Sequence, residues 1–275
     1  MAVQFLIDSA SDILPDEALS LGITCLPMQV TFGNEAYADG VTLSHEDFYK
    51  KLGQCKDLPT TSQISPAVYE ESFAALTANG DSLVVITLSS RLSGTYQSAL
   101  IAAEDYEGKV FVVDSLNATV GERILLLRGL ELAKQGLSAK EIADTLDEEK
   151  NRIRLVAIID TLEYLKKGGR ISAAAAFAGA ALGIKPAISV REGLVVNVGK
   201  ARGTRQCQAL LDQLLKESGE IDWARPVANL FSANADALEL FLEEYPEYKA
   251  PGFGMGCTIG THIGPGAYGM AFFEK

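Results

Sequence analysis

The first half of the sequence alternates short aliphatic and β-branched runs with stretches of helical periodicity. Residues 3–7, 83–88 and 110–113 have the length and composition of buried strands. Helical patterns occupy residues 66–79, 93–104 and 118–135. Because strands joined by helices run in the same direction, this alternation predicts a parallel sheet covered by helices. Such sheets bind ligands at the carboxyl ends of their strands, so the residues that follow each strand are candidates for a site.

The second half of the sequence changes character after a charged helical stretch that ends near residue 151. Residues 186–190 and 194–198 flank a glycine-containing connection typical of an antiparallel hairpin. Further strands are predicted at 227–231 and 268–273, with helices at 206–217 and 236–244. We therefore predict an α/β protein with an N-terminal parallel-sheet α/β domain over residues 1–152, a C-terminal α+β domain over residues 153–275, and a ligand crevice between them.

The charge and the termini restrict the possible partners. The chain holds 36 acidic and 24 basic side chains, a formal net charge of −12, which argues against nucleic acid and anionic membrane surfaces as partners. No apolar run approaches the ~20 residues of a spanning helix, and the N-terminus lacks the basic segment of a signal peptide. The four cysteines are too far apart for a zinc site or a redox pair. We expect a cytoplasmic protein with reduced thiols, no metal and no stable membrane insertion.

Two hydroxyl-rich segments are candidates for anion binding. Ser93, Gly94 and Thr95 follow a predicted strand and open a helix, where free backbone N–H groups and hydroxyls together can bind an anion. In the other segment, Thr61 and Ser62 precede the helix that begins at residue 66. Each segment also has a structural interpretation, the first as a helix cap and the second as a polar loop.

The two histidines differ in their surroundings. His262 lies in the glycine-rich segment 260–266, where the backbone can approach a ligand closely. A hydrogen-bonded structural role is the alternative for this residue. His45 follows Ser44, a predicted helix N-cap with Asp47 at the third helical position. We therefore assign His45 to a solvated helix surface.

Charged segments add candidate ligands. Arg170 follows a predicted glycine C-cap, and Lys200 and Arg202 lie in the cationic segment 199–205. These cations could contact a phosphate or a partner, or could form a packing salt bridge and a solvated loop. Asp8 and Asp12 could hold a metal, but no third acidic ligand follows at a recognisable spacing. A turn that caps the next helix is the preferred interpretation there.

Known catalytic loops are missing from the sequence. It contains no Gly-x-x-x-x-Gly-Lys-Ser/Thr loop for a nucleoside triphosphate and no His-Glu-x-x-His pair for zinc. Arg91 replaces the first glycine of a Gly-x-Ser-x-Gly elbow around Ser93. The sequence thus offers hydroxyls, one imidazole and glycines without a complete catalytic apparatus of its own.

Several motifs follow one another along the chain: Asp8, Ser9 and Asp12, then residues 59–63, 89–96, 113–115, 165–171 and 184–186, then Lys200, Arg202 and Gly203, and finally His262, Gly264, Pro265 and Gly266. In this order they resemble the DegV family, the lipid-binding component of bacterial fatty acid kinase systems. The resemblance runs from about residue 5 to residue 273. Ile64 and Glu122 depart from the residues usual in that family, and neither is a hydroxyl or a histidine assigned to the ligand.

The resemblance implies a two-domain protein that encloses one long-chain fatty acid in a tunnel between its domains. It places the fatty acid carboxylate against Thr61, Ser93 and His262. A buried carboxylate needs several directed hydrogen bonds to offset its desolvation, and two hydroxyls and an imidazole N–H can supply them. Secondary contacts for the anion are Ser62, Gly94, Thr95 and Arg170.

The resemblance also implies two protein partners. A separate ATP-dependent fatty acid kinase phosphorylates the bound carboxylate, and an acyltransferase of phospholipid synthesis uses the acyl phosphate. Lys200 and Arg202 are the candidate contacts for phosphoryl transfer or for the kinase. Since the carboxylate is itself the nucleophile toward ATP, the chain is expected to be a carrier, without a catalytic residue or a cofactor. The small apolar stretch at 172–184 could line the tunnel or only pack a core.

Two other functions fit the same residues. An esterase or thioesterase would use Ser93 as nucleophile, His262 as base and Asp114 to orient the base. A regulatory lipid sensor would bind the fatty acid with no kinase step. Covalent labelling of Ser93 by a serine-directed phosphonate would favour hydrolysis.

Overall fold

The computed structural model of the chain describes residues 2–171 and 183–275. Its strands are β1 (Val3–Asp8), β2 (Thr24–Leu26), β3 (Gln29–Phe32), β4 (Glu35–Ala38), β5 (Thr60–Ser62), β6 (Ser82–Thr87), β7 (Val110–Asp114), β8 (Ile153–Ile158), β9 (Ile184–Arg191), β10 (Leu194–Arg202), β11 (Ala228–Phe231), β12 (Gly252–Gly254) and β13 (Tyr268–Phe273). Its helices are α1 (Pro15–Leu21), α2 (His45–Gln54), α3 (Pro66–Thr77), α4 (Thr95–Ala103), α5 (Val120–Lys134), α6 (Ala139–Glu149), α7 (Glu163–Lys167), α8 (Thr204–Glu217), α9 (Asp236–Glu244) and α10 (Cys257–Ile263).

The first half builds the predicted parallel sheet, in the strand order β2-β1-β6-β7. The three strands predicted from hydrophobic runs, β1, β6 and β7, are neighbours in this sheet and run parallel. Successive residues of β6 are buried, as expected for a strand covered on both faces. The predicted helices correspond to α3, α4 and α5, and Pro66 occupies the first turn of α3. The prediction for this half is confirmed.

A small antiparallel sheet, which the hydrophobic pattern does not predict, lies beside the parallel one. Its strand order is β4-β3-β5, and Thr61 in the middle of β5 pairs with Val30. Its apolar side packs with Phe48 of α2 and with Cys257 at the start of α10. A helix from the end of the chain is therefore built into the N-terminal half.

The second half forms a six-stranded sheet in the order β10-β9-β8-β13-β11-β12. All neighbours are antiparallel except β11 and β12. The predicted hairpin is β9 and β10, and its two-residue turn has φ of 48° at Glu192 and 77° at Gly193. Positive φ at both residues is typical of the type I′ turn that matches strand twist. The hydroxyl of Ser89 donates to the carbonyl of Gly193 at 2.8 Å, which ties the hairpin tip to the end of β6.

The two halves share one core. The largest group of buried apolar side chains includes Leu6 and Ile86 from the first half and Leu155 and Ile188 from the second. The six-stranded sheet begins at Ile153, while the domain boundary at residue 152 stays a prediction. The helix predicted at 172–184 lies mostly outside the described residues, and its last residue belongs to β9. In the described part of the chain, no helix has the length and apolar character to cross a bilayer.

Candidate functional site

A narrow apolar cavity lies between the sheets of the two halves. Its volume is about 70 Å³. The apolar wall comes from both halves: Met28, Leu88, Ala118, Leu155, Ala157, Leu165, Ile188, Val190, Val195, Met255, Ile259 and Ile263.

Four of the predicted site residues line this cavity, namely Thr61, Ser93, Arg170 and His262, and we call them the polar cluster. Thr61 Oγ1 and His262 Nε2 are hydrogen-bonded at 2.9 Å, although the two residues are 201 positions apart. Strand β5 presents Thr61 from the N-terminal half, and α10 presents His262. The structure thus brings together the residues that the family resemblance selects.

The imidazole of His262 is a neutral hydrogen-bonding group. Burial, followed by the nearby charge of Arg170, lowers the pKa of His262 from 6.5 to about 4. Its Nδ1 is buried and has no hydrogen-bond partner among the described residues. A Cβ at position 168 would collide with this Nδ1, so Gly168 provides the space for the ring. One ring nitrogen is left for another partner.

Arg170 supplies the positive charge at the cavity. It is the one Arg or Lys side chain among the described residues that line the wall. Its guanidinium donates to the carbonyl of Leu92 at 3.3 Å and to that of Gly168 at 2.5 Å. These bonds fix the guanidinium beside Gly168, which adjoins the His262 ring, and its charge would compensate that of an anionic ligand.

The hydroxyl segment at residues 93–95 combines a structural role with a place in the cavity wall. Ser93 Oγ lies 2.9 Å from Thr95 Oγ1 and accepts from the Thr95 N–H at 3.3 Å, so it binds the first residue of α4, while Gly94 is the N-cap residue. Thr95 itself is buried behind Ser93 and does not line the cavity. A Cβ at Gly94 would collide with Gln63, so the glycine allows this loop to approach β5 closely.

Besides Gly94 and Thr95, three predicted site residues do not line the cavity. Ser62 is exposed, because successive side chains of a strand point to opposite faces and Thr61 occupies the inner one. Lys200 and Arg202 are exposed at the end of β10. These residues therefore belong to a strand and not to a solvated loop, the alternative interpretation of this segment. Gln63 lines the cavity instead, and it donates to Ser98 Oγ at 2.9 Å. The two-residue spacing from Thr61 was the sequence signal for Gln63.

The three residues of the alternative hydrolase function, Ser93, His262 and Asp114, do not form a catalytic triad in this structure. Ser93 pairs with Thr95, and His262 Nε2 pairs with Thr61. Asp114 accepts from the backbone N–H groups of Ser90, at 3.1 Å, and Leu116, at 3.0 Å. An imidazole with a pKa of about 4 is also a weak general base at neutral pH. The geometry therefore does not support a Ser93 nucleophile.

Four buried carboxyl groups, Asp8, Asp12, Asp39 and Glu122, form what we call the acid cluster. Asp8 accepts from the N–H groups of Ala10, at 3.0 Å, and Leu88, at 2.8 Å, which confirms the predicted capped turn. Burial raises the pKa of Asp8 to about 7 and that of Asp12 to about 6. Within residues 2–171 and 183–275, no three metal-ligating side chains are grouped so as to hold a metal.

His45 belongs beside this acid cluster, and its assignment to a solvated helix surface is wrong. The predicted cap is confirmed, since Ser44 Oγ accepts from the N–H of Asp47 at 3.1 Å. The His45 side chain, however, is 20% exposed and its Nε2 lies 3.5 Å from Asp39.

Glu122 differs from the other acids, because both of its carboxyl oxygens are buried without a hydrogen-bond partner in the described chain.

The fold is that of an α/β protein, and its cavity has a largely apolar wall with one polar end. A family model described as "Uncharacterised protein, DegV family" matches residues 2–275, and the chain belongs to the DegV family. It is similar to a DegV domain-containing protein of Caldanaerobacter subterraneus subsp. tengcongensis, with 35% identity over 284 residues and 99% of each chain covered.

Solved structures of this family are similar over the whole chain. A DegV family protein of Thermus thermophilus, described by its fatty acid binding, has a TM-score of 0.89 and 29% identity, with 100% of both chains covered. DegV of Bacillus subtilis, a fatty acid binding protein, has a TM-score of 0.84 and 29% identity over the same coverage. The family predicted from the motifs is confirmed.

Proposed function

We propose that this chain binds one long-chain fatty acid, with the tail in the apolar cavity and the carboxylate at the polar cluster. The observation that carries the proposal is the Thr61–His262 hydrogen bond, with Arg170 beside it, in the wall of an otherwise apolar cavity. The fatty acid binding of the Thermus thermophilus and Bacillus subtilis proteins supports it.

The energetics of this site suit a persistent carrier. Each CH₂ of the tail contributes about 0.8 kcal/mol when it leaves water. The carboxylate loses its hydration, and the Arg170 charge with the hydroxyls of Thr61 and Ser93 would offset that cost. We assign Ser62, Gly94 and Thr95 no direct contact, because none of them lines the cavity.

Native mass spectrometry of the purified protein tests this proposal. We expect a complex with one fatty acid, and lower retention in Ser93→Ala and His262→Ala because each removes a polar partner of the carboxylate. Ser90→Ala and Thr60→Val are matched controls, since both hydroxyls belong to exposed residues beside the site. A wild-type protein that takes up no hexadecanoic acid, or full retention in both site variants, would contradict the proposal.

We further propose that the chain acts as a cytoplasmic carrier that presents the carboxylate to a separate ATP-dependent kinase, and that an acyltransferase of phospholipid synthesis uses the product. Lys200 and Arg202 are two residues apart and so share one face of β10, where they could contact a phosphoryl group or the kinase. The absence of a nucleotide loop from the sequence supports the need for a partner.

Kinetics with a purified fatty acid kinase test the second proposal. We expect Arg202→Ala to retain the fatty acid and to slow its phosphorylation. Arg205→Ala, which removes an exposed cation from the adjacent helix, is the control for net charge. Unchanged turnover of Arg202→Ala would overturn the role given to this residue.

A further inference from the structure

Helix α10, which carries His262, is closely packed along the face opposite the cavity. Glycines recur there at a spacing of four residues. A Cβ at Gly256 would lie 2.7 Å from His45 Nε2, and one at Gly260 would lie 2.6 Å from Phe48 Cε1. Because α2 leaves no room there, α10 cannot shift toward it. The cavity face consists of Thr258, Ile259, His262 and Ile263.

The first backbone N–H groups of α10 are bound by two carboxylates of the acid cluster. Asp39 accepts from Cys257 and from Thr258, each at 2.9 Å. Asp12 accepts from Gly256 at 2.8 Å. The first N–H groups of a helix have no partner within it, and negative charge is stabilised at that end. These bonds fix where α10 starts.

Asp39 is itself held in place from its other side. Its side chain is 1% exposed, and it lies 3.5 Å from His45 Nε2. The hydroxyl of Ser9 donates to it at 3.2 Å. His262 follows Cys257 by five residues, about 7.5 Å along the helix axis. A displacement of Asp39 would therefore be passed to the imidazole through one short helix.

We infer that Asp39 is a positioning residue for the head-group site: it fixes α10 and so aligns the His262 imidazole with Thr61, without touching the ligand. The inference rests on the proposed fatty acid function. Asp39 does not line the cavity, so any effect on the ligand must be indirect. Asp39→Asn is nearly isosteric, but its NH₂ cannot accept from a backbone N–H, so one of the two α10 donors loses its partner.

The affinities of Asp39→Asn for hexadecanoic acid and hexadecan-1-ol test the inference. Both ligands have the same tail, and only the acid carries a carboxylate. We expect about tenfold weaker binding of the acid, the size of one displaced hydrogen bond, and less than twofold change for the alcohol. Asp47→Asn is the matched control, since this exposed carboxylate binds Ser44 at the start of α2. Equal weakening for both ligands would indicate general damage and overturn the inference.

A double variant tests the route through the imidazole. If Asp39 acts through His262, then His262→Ala and the double variant with Asp39→Asn should bind the acid equally within about twofold. Additive losses would show that Asp39 acts by another route.

A readout without lipid separates this inference from the proposed function. The imidazole ¹⁵N spectrum contains two histidines, and His45→Gln assigns them. We expect the His262 signals to shift in Asp39→Asn, even if the wild-type protein binds no fatty acid. An unchanged His262 spectrum in a folded variant would overturn the inference. If Asp39→Asn fails to fold, His45→Gln replaces it, with an expected two- to threefold loss for the acid alone.

Discussion

The acid cluster and the polar cluster use hydrogen bonds differently, although Thr119, which donates to Asp12 at 2.5 Å, lines the same cavity as the polar cluster. In the acid cluster, Asp8, Asp12 and Asp39 accept backbone N–H groups from distant segments. In the polar cluster, the bond between Thr61 and His262 joins two side chains. Carboxylates that bind the backbone hold the fold together, whereas side chains that bind each other can exchange a partner for a ligand.

Desolvation acts on both clusters and favours the neutral form in each. It raises the pKa of Asp8 to about 7 and lowers that of His262 to about 4. Asp39 is the exception. Burial opposes its charge, but bonds from His45 and Thr258 outweigh that effect and lower the pKa of Asp39. Near neutral pH the formal charge of the polar cluster therefore resides on Arg170.

Removal of the buried cation that binds the backbone next to the acid cluster should have the largest effect. Arg123 is 1% exposed, pairs with Glu17, donates to the carbonyl of Asp12 at 2.7 Å and lies 3.7 Å from the ring centroid of Phe253. We expect Arg123→Ala to lower the free energy of unfolding by about 3–5 kcal/mol, because it leaves the buried Asp12 carbonyl without its donor, the half-buried Glu17 without its cation and a cavity against Phe253. Urea denaturation measures this. Lys140→Ala, which breaks an exposed pair, should cost less than about 1 kcal/mol; similar losses would contradict the comparison.

Substitutions in the polar cluster should show the opposite pattern: they should weaken fatty acid binding and leave the free energy of unfolding nearly unchanged. We expect Thr61→Val to weaken fatty acid binding about tenfold and to change the free energy of unfolding by less than about 1 kcal/mol. Fluorescent fatty acid displacement and urea denaturation measure the two effects. Thr60→Val, on the exposed face of the same strand, should change neither. A Thr61→Val variant that loses stability but keeps its affinity for the fatty acid would contradict the separate roles given to the two clusters.

A substitution of Glu122 tests whether a buried carboxyl group without a hydrogen-bond partner destabilises the folded state. Burial, then the charges of Asp8, Asp12 and Asp114, raise the pKa of Glu122 well above 4.5. A raised pKa means that its favourable contribution is complete below pH 4.5 and is lost as the pH rises through the folded-state value. We expect Glu122→Gln to remove that loss and to raise the free energy of unfolding at pH 8 by about 1 kcal/mol. Equal stabilities at pH 8 would refute this.

The smallest effect should be that of pH on binding. Because the pKa of His262 is about 4, the imidazole stays neutral from pH 6 to 8. We expect the affinity for hexadecanoic acid to vary less than about twofold over this range. Any contribution of His262 to stability is complete above pH 6.5 and is lost as the pH falls through about 4. A steep change in affinity near pH 6.5 would show that the imidazole titrates there.

The sequence predicts the long elements well and the short ones poorly. The strands β1, β6 and β7 carry hydrophobic runs, but β3, β4 and β5 have only three or four residues, too few for a periodic pattern. The N-cap at Ser44 depends on neighbouring residues only, and the sequence predicts it correctly. The contact of His45 with Asp39 is tertiary, and no local pattern encodes it. The pairing of Thr61 with His262 came from the family resemblance, since nothing in their own segments relates residues so far apart.

The distance along the chain between Thr61 and His262 has a consequence for synthesis. Ribosomes add about 5–20 residues per second, and the two residues are 201 positions apart, so His262 is added about 10–40 s after Thr61. Throughout that interval a nascent chain holds β5 without the helix that completes the site. We therefore expect that a ligand can bind at the polar cluster only after α10 has been made, and that until then the N-terminal part of the cavity wall lacks the residues of α10 that complete it.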